Sequence, residues 1–266
     1  MTGTIALLIS IVAYGNYYLN NPSKNDFLDT NNVLQFCNRV HFIGMNWVFK
    51  ISIARSINEW LKYLKNNSVK YLKLHYQSVS ENDRMSAGFV GGGGEWLIEA
   101  KTKNGSDFYQ GKWEVTHEDD VDKKFWTVTY IRIAKKHTLN VSYPMDLNLI
   151  KKNLLFDLTK AMSFAKENDM KYFAECFENG IKCLNSNNPL QEEFIYHKEL
   201  IPDRYFSLGA SQILACCQIS WVFGGMGSWN DVSFEGKSQT LYEEISKKLF
   251  QDMNMAIVCA TNSTLK

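Results

Sequence analysis

The stretch that decides the fold is "EWLIEAKTKNGSDFYQGKWEV" (residues 95–115), in which an Asn-Gly pair separates two segments of alternating apolar and polar residues. Asn104 and Gly105 tolerate the positive φ angles that a tight hairpin turn requires. A further alternating segment, "KFWTVTYIRIA" (124–134), follows an acidic loop at 117–122. The three segments together predict an antiparallel meander.

Two more extended segments precede the meander. The first, "VLQFCNRVHFI" (33–43), places Leu34, Phe36, Val40 and Phe42 on one face. The second, "VKYLKLHYQ" (69–77), alternates apolar residues with Lys73 and His75, which predicts a strand with one face in solvent. Between them an amphipathic helix is predicted, because apolar residues recur at helical spacing: Ile53, Ile57, Trp60, Leu61 and Leu64.

The N-terminal segment contains an apolar run from Ile5 to Tyr14. No Lys or Arg precedes it, as one would in a signal peptide, and the run is too short to span a bilayer. Its content of Ile and Val favours a buried central strand.

The second half of the chain has helical periodicity. Asp146 is a predicted N-cap for a helix that carries Leu154 and Leu158, and a second helix extends to Leu184. A third is predicted after Asp203, and a last one from Thr240. The pattern predicts one α+β domain over residues 1–266, with a mixed, largely antiparallel sheet from a sheet-rich part (1–140) packed against a mainly helical part (141–266).

Composition restricts the possible partners. Twenty-nine Lys and Arg against twenty-eight Asp and Glu give a net charge of +1, which provides no field for binding nucleic acid. No apolar segment is long enough to predict a membrane partner. The six cysteines form no CxxC pair, so we expect free, buried thiols in a reducing cytoplasm.

Signatures of catalysis and of metal binding are missing. "GMGSWND" (225–231) lacks the second glycine of a nucleophile elbow, and the five histidines are scattered. The acidic loop "HEDDVD" (117–122) lacks the glycine and final glutamate of an EF-hand, so no metal is predicted. The first glycine-rich segment, "SAGFVGGGGEWLIE" (86–99), contains the run Gly91–Gly94, which is not followed by Lys-Ser/Thr or a helix, so we predict no nucleotide or other cofactor.

A second glycine-rich segment, "WVFGGMGSWNDVSF" (221–234), is expected to follow the end of the third helix at Phe223. If Trp229 packs under the loop, the segment is a folded connector, in which Asp231 organises the turn. If Trp229 is exposed, it resembles the aromatic anchor of a binding site. Both glycine-rich segments lead into a tryptophan, which suggests that they share a cleft.

Three functions remain open from the sequence. The first is a cytoplasmic, non-catalytic protein-binding domain, of which a bacterial toxin-neutralising immunity protein is one concrete form. Its predicted contact residues are Trp229, Asn230, Asp231, Met226, Gly91, Gly94 and Trp96. The second is a small hydrolase or transferase whose cleft is formed by the two glycine-rich loops, with Asp231 or Glu95 as the acid/base. The third is a homo-oligomeric structural protein that buries its last helix or an edge strand between copies.

Overall fold

A computed structural model describes residues 1–21, 31–45, 49–116, 120–138, 143 and 146–265. It contains a six-stranded mixed sheet of order β2-β1-β6-β5-β4-β3, in which only β1 and β6 are parallel neighbours. The strands are β1 (Cys37–Met45), β2 (Lys50–Ala54), β3 (Tyr71–Gln77), β4 (Glu95–Thr102), β5 (Gly105–Val115) and β6 (Trp126–His137). The predicted α+β class is confirmed.

Seven α-helices lie within the described residues, four of them in the second half of the chain. They are α1 (Gly3–Asn20), α2 (Ile57–Asn66), the single turn α3 (Asp83–Ser86), α4 (Leu147–Glu167), α5 (Lys171–Asn185), α6 (Leu208–Ile219) and α7 (Gly236–Asn262). Of the helices in this described part, none is long and apolar enough to cross a membrane.

The predicted meander is present as β4, β5 and β6. Thr102 pairs with Gly105, which leaves Lys103 and Asn104 at the tip of the hairpin. Gly105 has a φ of +120° but Asn104 does not have a positive φ, so the hairpin is present while the predicted turn with two positive φ angles is wrong. Core aromatic residues lie on one face of the sheet, where Phe42 stacks between Trp60 at 4.2 Å and Tyr130 at 5.1 Å, measured between ring centroids.

The prediction of an N-terminal strand is wrong, because residues 5–14 belong to helix α1. The helix begins after Thr2, whose side chain accepts a hydrogen bond from the Ile5 amide, and its middle is buried on every side. A helix that is apolar all round has no polar stripe, so its sequence lacks the usual helical period. Its Ile and Val content then favours strand from sequence alone.

Ile53 was also misplaced, since it lies in β2 and not in the helix that follows. Helix α2 begins after Ser56, whose hydroxyl accepts a hydrogen bond from the Glu59 amide at 3.1 Å. Glu59 in turn accepts a hydrogen bond from the Arg55 amide at 2.8 Å. This reciprocal capping separates strand from helix within two residues.

Two asparagines close the edge of the sheet at β3. Asn16 of α1 donates to the Leu72 carbonyl at 2.9 Å and accepts from the Leu72 amide at 2.7 Å. Asn262 of α7 makes the same pair of bonds with Leu74, both at 2.8 Å. Each side-chain amide therefore takes the place of a residue in a neighbouring strand, and the exposed backbone groups of this edge are used.

The helical half follows the prediction apart from its boundaries. Asp146 caps α4 as expected, accepting from the amides of Asn148 and Leu149. The third helix, α6, is capped by Ser207 and not by Asp203, and it ends at Ile219, four residues before Phe223. The last helix begins at Gly236, four residues before the predicted Thr240.

Candidate functional site

The two glycine-rich segments lie against each other. Gly88 is packed so closely on the second segment that a Cβ atom there would be 2.1 Å from the Gly224 carbonyl carbon and 2.2 Å from the Gly225 nitrogen. Only glycine permits this approach of two backbones. The proximity that the sequence suggested is therefore present in the structure.

Arg84, which lies in α3 immediately before the first segment, connects that segment to the second by hydrogen bonds. Its guanidinium donates to the side-chain oxygen of Asn230 at 2.9 Å, and the Asn230 side chain donates to the Arg84 carbonyl at 2.8 Å. Arg84 also forms an ion pair with Glu243 at 2.5 Å and lies over the ring of Tyr242. Because Arg84 and Asn230 are both buried, this pairing fixes one loop relative to the other.

Trp229 is completely buried. Its ring packs between those of Phe173 and Phe177, each 5.2 Å away, and its indole N–H donates to the Ser246 hydroxyl at 2.7 Å. Of the two arrangements considered from the sequence, this is the folded connector. Trp229 and Asn230 hold the segment in place and present no surface to a partner.

The other residues of this segment differ in exposure. Asp231 accepts a hydrogen bond from the Gly227 amide, a local contact that organises the turn. Met226 is fully exposed at the tip of the loop. Within the segment, Met226 is thus the apolar residue available for contact.

The first glycine-rich segment forms the wall of a cavity of about 250 Å³ at one end of the sheet. A second cavity of about 250 Å³ shares Thr2, Thr4, Phe89 and Trp113 with it. We call the two together the aromatic cleft. Its aromatic lining comprises Phe36, Phe89, Trp96, Trp113, Trp126, Tyr130 and Trp221.

Of the predicted contact residues, Gly91, Gly94 and Trp96 line this cleft. Gly91 and Gly94 adopt φ angles of +81° and +96°, in the region that favours glycine. Trp96 is buried against the ring of Tyr76, at a centroid distance of 4.8 Å. The cleft was not predictable in full, because Trp113, Tyr130 and Trp221 come from distant parts of the chain.

Polar groups in the cleft are few. Glu95 is the one charged side chain among the described residues that line it, and it is exposed and accepts from Gln110 at 3.3 Å. The Tyr130 hydroxyl is buried and has no hydrogen-bond partner among the described residues. Burial, with a smaller contribution from the nearby Cys37 thiol, raises the pKa of Tyr130 well above its ordinary value, so this hydroxyl is a donor at neutral pH.

A buried polar network on the other face of the sheet was missed by the sequence reasoning. His75 Nε2 lies 2.7 Å from Glu99 Oε2, Ser106 donates to Glu99 Oε1 at 2.5 Å, and His75 Nδ1 lies 3.0 Å from the Tyr143 hydroxyl. The prediction that His75 faces solvent is wrong, because His75 is buried. The diagonal spacing of His75 and Glu99 on adjacent strands was the available signal.

This network has the wrong order for nucleophilic catalysis. A serine nucleophile needs a histidine between it and the carboxylate, whereas here the Glu99 carboxylate lies between Ser106 and His75. Burial by itself raises the pKa of Glu99, but the hydrogen bonds from His75 and Ser106 outweigh it, so the pKa lies below the ordinary value. Glu99 is therefore an ionised, structural carboxylate.

The remaining candidates from the sequence do not assemble into a site. All six cysteines are free, as predicted, and five are buried. Within the part of the chain that the structure describes, no three His, Cys, Asp or Glu side chains are grouped to hold a metal ion. Residues 117–119 of the acidic loop lie outside the described residues.

Comparison with protein-family models, with curated proteins and with solved structures finds no match for this chain.

Proposed function

We propose that this protein is a non-catalytic protein-binding domain and that its contact surface is the rim of the aromatic cleft. The observation that supports this is the exposure of apolar side chains around the mouth of the cleft. Phe89 is 68% exposed and Met226 is fully exposed, and both belong to the two glycine-rich segments that touch. The rim consists of Phe36, Val79, Phe89 and Val90, which line the cleft, together with Met226, which follows the Gly224–Gly225 backbone packed against Gly88; all five side chains are exposed.

Clustered exposure of this kind favours a partner of macromolecular size. Single exposed apolar residues are ordinary on a protein surface, but a contiguous group is characteristic of interaction sites. The cleft beneath the rim contains Trp96, Trp113 and Trp221, and aromatic residues are enriched in the centres of protein interfaces. A partner could therefore cover the rim and insert a side chain among the tryptophans.

The loops that carry the rim are held before any partner arrives. The Arg84–Asn230 pairing and the backbone contact at Gly88 connect the two segments, and buried Trp229 fixes the second one from below. A preordered contact surface loses less conformational entropy on binding. A toxin-neutralising immunity protein is one function that needs such a surface, and six free thiols are consistent with a cytoplasmic location.

The catalytic alternative has less support from this geometry. An active site needs several polar groups that converge on one point, and Glu95 is the single charged residue among the described lining of the cleft. Asp231, the other proposed acid/base, is bonded to its own loop at Gly227.

The homo-oligomeric alternative required a free last helix or a free edge strand. Much of α7 is buried against α4, α6 and β3, and the β3 edge is closed by Asn16 and Asn262. Two described surfaces would still serve: the β2 edge, with exposed Ile51, and a groove of about 770 Å³ between α4 and α7, with exposed Leu155, Phe156 and Leu241.

The test is capture of partners from the native lysate with tagged protein, followed by mass spectrometry. The rim variant carries Phe89→Ser and Met226→Ser. The matched control is Tyr172→Ser, which removes an equally exposed aromatic residue from α5. We expect a stoichiometric protein that binds wild type and the control and is lost from the rim variant. Identical capture by all three proteins, including capture of nothing, would contradict the proposal.

A further inference from the structure

We infer that the aromatic cleft binds an apolar group that carries a carboxylate, and that its natural occupant is the C-terminal residue of the partner protein. This inference rests on the proposed function and specifies which part of the partner enters the cleft. Two observations support it independently: a buried hydroxyl without a partner, and the beginning of α1 at the same cavity.

The first observation is the Tyr130 hydroxyl. Tyr130 lines the cavity and is 0% exposed, and its hydroxyl has no hydrogen-bond partner in the described part of the chain. Leaving a buried hydroxyl unpaired costs about 1–3 kcal/mol. The Tyr109 hydroxyl and several other buried polar atoms of the described residues also lack a partner, but among them Tyr130 is the residue that lines the aromatic cleft, where a ligand would reach it. The ring leans over Gly111, where an added Cβ would lie 3.1 Å from the ring. The Tyr130 hydroxyl is therefore a hydrogen-bond donor that is unpaired among the described residues, on a residue that lines the cleft.

The second observation is the N-terminus of α1, whose residues Thr2 and Thr4 line both cavities, with Gly3 lining the second. The first-turn amides of a helix have no intrahelical acceptor, and the 18-residue helix directs its positive end toward the cleft. Thr2 already accepts from the Ile5 amide, which leaves the amides of Gly3 and Thr4 for an outside acceptor. A carboxylate is the acceptor that both the hydroxyl and the helix end favour.

The apolar part of the occupant follows from the lining. Trp96, Trp113 and Trp221 surround a space of about 250 Å³, which suits one aromatic or branched side chain. Glu95 at the mouth would favour a cation, but its carboxylate is exposed to solvent and bonded to Gln110. The Tyr130 hydroxyl and the first-turn amides of α1 lie inside the cleft, and Glu95 lies at its entrance. The donors inside the cleft therefore favour a negatively charged occupant.

The binding test uses purified protein and follows tryptophan fluorescence, with calorimetry as a second readout. The probes are N-acetyl-phenylalanine, its amide, phenylethylammonium, and a tetrapeptide Ala-Ala-Ala-Phe with a free or an amidated C-terminus. We expect each free acid to bind at least about tenfold more tightly than its amide, because only the acid supplies a charged acceptor. Tighter binding of the free-acid tetrapeptide than of N-acetyl-phenylalanine would favour a protein terminus over a free small acid as the source.

Variants assign the donors. Tyr130→Phe is expected to weaken the free acid about fivefold to tenfold and to leave the amide unchanged. Its control is Tyr109→Phe, at a buried tyrosine on the same sheet face that lines neither cavity. Gly3→Pro removes one first-turn amide where proline is tolerated, and Gly3→Ala is its reference, because space is open at Gly3. The proline variant is expected to bind the acid more weakly than the alanine variant.

Three outcomes would overturn the inference: equal binding of acid and amide, tighter binding of phenylethylammonium, or no effect of Tyr130→Phe on the acid. Each can be told apart from failure of the proposed function. If the rim variant loses a captured partner but no acid binds, the inference alone is wrong. If acids bind but no partner depends on the rim, the proposed function is wrong and the cleft is a site for a free small acid.

Discussion

The buried polar groups near the two ends of helix α1 differ in whether they are hydrogen-bonded within the protein. Near its C-terminal end, Asn16 satisfies both the amide and the carbonyl of Leu72 at the edge of the sheet. At its N-terminal end, the Tyr130 hydroxyl is buried beside the helix with no partner among the described residues. The polar groups near the C-terminal end are hydrogen-bonded within the fold, whereas the hydroxyl near the N-terminal end is an unpaired donor in the described part of the chain.

This difference separates what the fold needs from what a ligand would use. The β3 edge is closed twice, by Asn16 and by Asn262, so polar groups there are paired even at the cost of burying two amides. The aromatic cleft lies against the same helix but is lined by glycines, tryptophans and one unpaired hydroxyl. Among the buried polar groups without a partner in the described residues, Tyr130 is the one at the cleft, and it is therefore the more informative of the two.

The largest expected effect is at the paired end. Asn16→Leu leaves the amide and the carbonyl of Leu72 buried without partners, and we expect a loss of about 3 kcal/mol in the free energy of unfolding. Urea denaturation measures it. The control is Asn20→Leu in the same helix, where the exposed amide donates to the Tyr205 hydroxyl and the loss should be below about 0.5 kcal/mol. Equal losses in both variants would remove the distinction on which the comparison depends.

A somewhat smaller effect is expected where the rim loops meet. Gly88→Ala places a Cβ atom against the backbone of Gly224, so the two segments must separate, and we expect a loss of about 2 kcal/mol. Gly209→Ala is the control, because a Cβ atom there meets nothing within 4 Å and alanine favours the helix. If the two variants were equally stable by thermal and urea denaturation, the loops would not be in contact.

A third buried polar group, Asp157, sharpens the comparison through its pH dependence. Burial, then a hydrogen bond and the charge of Asp252, raise the pKa of Asp157 to about 7, with Lys248 3.9 Å away. The folded state therefore holds a proton that the unfolded state releases near pH 4, so the contribution of Asp157 to stability falls as pH rises from 4 to 7. Asp157→Asn should be about 1–2 kcal/mol more stable than wild type at pH 8.

At pH 4 the same variant and wild type should have similar stability, since both then carry a neutral side chain. Urea denaturation from pH 4 to 8 gives the difference at each pH. A constant difference across this range would show that Asp157 is ionised in the folded protein at every pH tested. The Asp157 carboxylate would then be a charged group stabilised by Lys248, as the paired polar groups at the β3 edge are stabilised by their partners.

Local signals predicted much of this fold and failed where burial was complete. The Asn104–Gly105 hairpin and the Asp146 cap need only a few neighbouring residues, and both were predicted. Helix α1 has no polar face, so its sequence shows no alternation of apolar and polar residues at helical spacing. Its Ile and Val residues therefore favoured the prediction of a strand. The Ser56–Glu59 capping box was present in the sequence and would have placed the start of α2 correctly.

The candidate site was predictable in outline only. Glycine runs and tryptophans drew attention to Gly91, Gly94, Trp96 and Met226, but the cleft also needs Tyr130, which reads as an ordinary strand residue. Trp229 attracted the same attention and is part of the core. Sequence alone cannot tell an anchor from a core tryptophan, because that depends on residues brought together by the fold.

The most direct test of the account is the stability of Tyr130→Phe, measured by urea denaturation beside Tyr242→Phe, whose buried hydroxyl donates to the Trp229 carbonyl and whose removal should cost about 1 kcal/mol or more. If the Tyr130 hydroxyl has no partner within the protein, its removal should leave the free energy of unfolding unchanged or raise it by up to about 1 kcal/mol, with an unchanged m-value. A loss of more than about 1 kcal/mol would mean that the hydroxyl is bonded within the fold. The Tyr130 hydroxyl would then not be free to bind a ligand in the cleft, which would contradict the account.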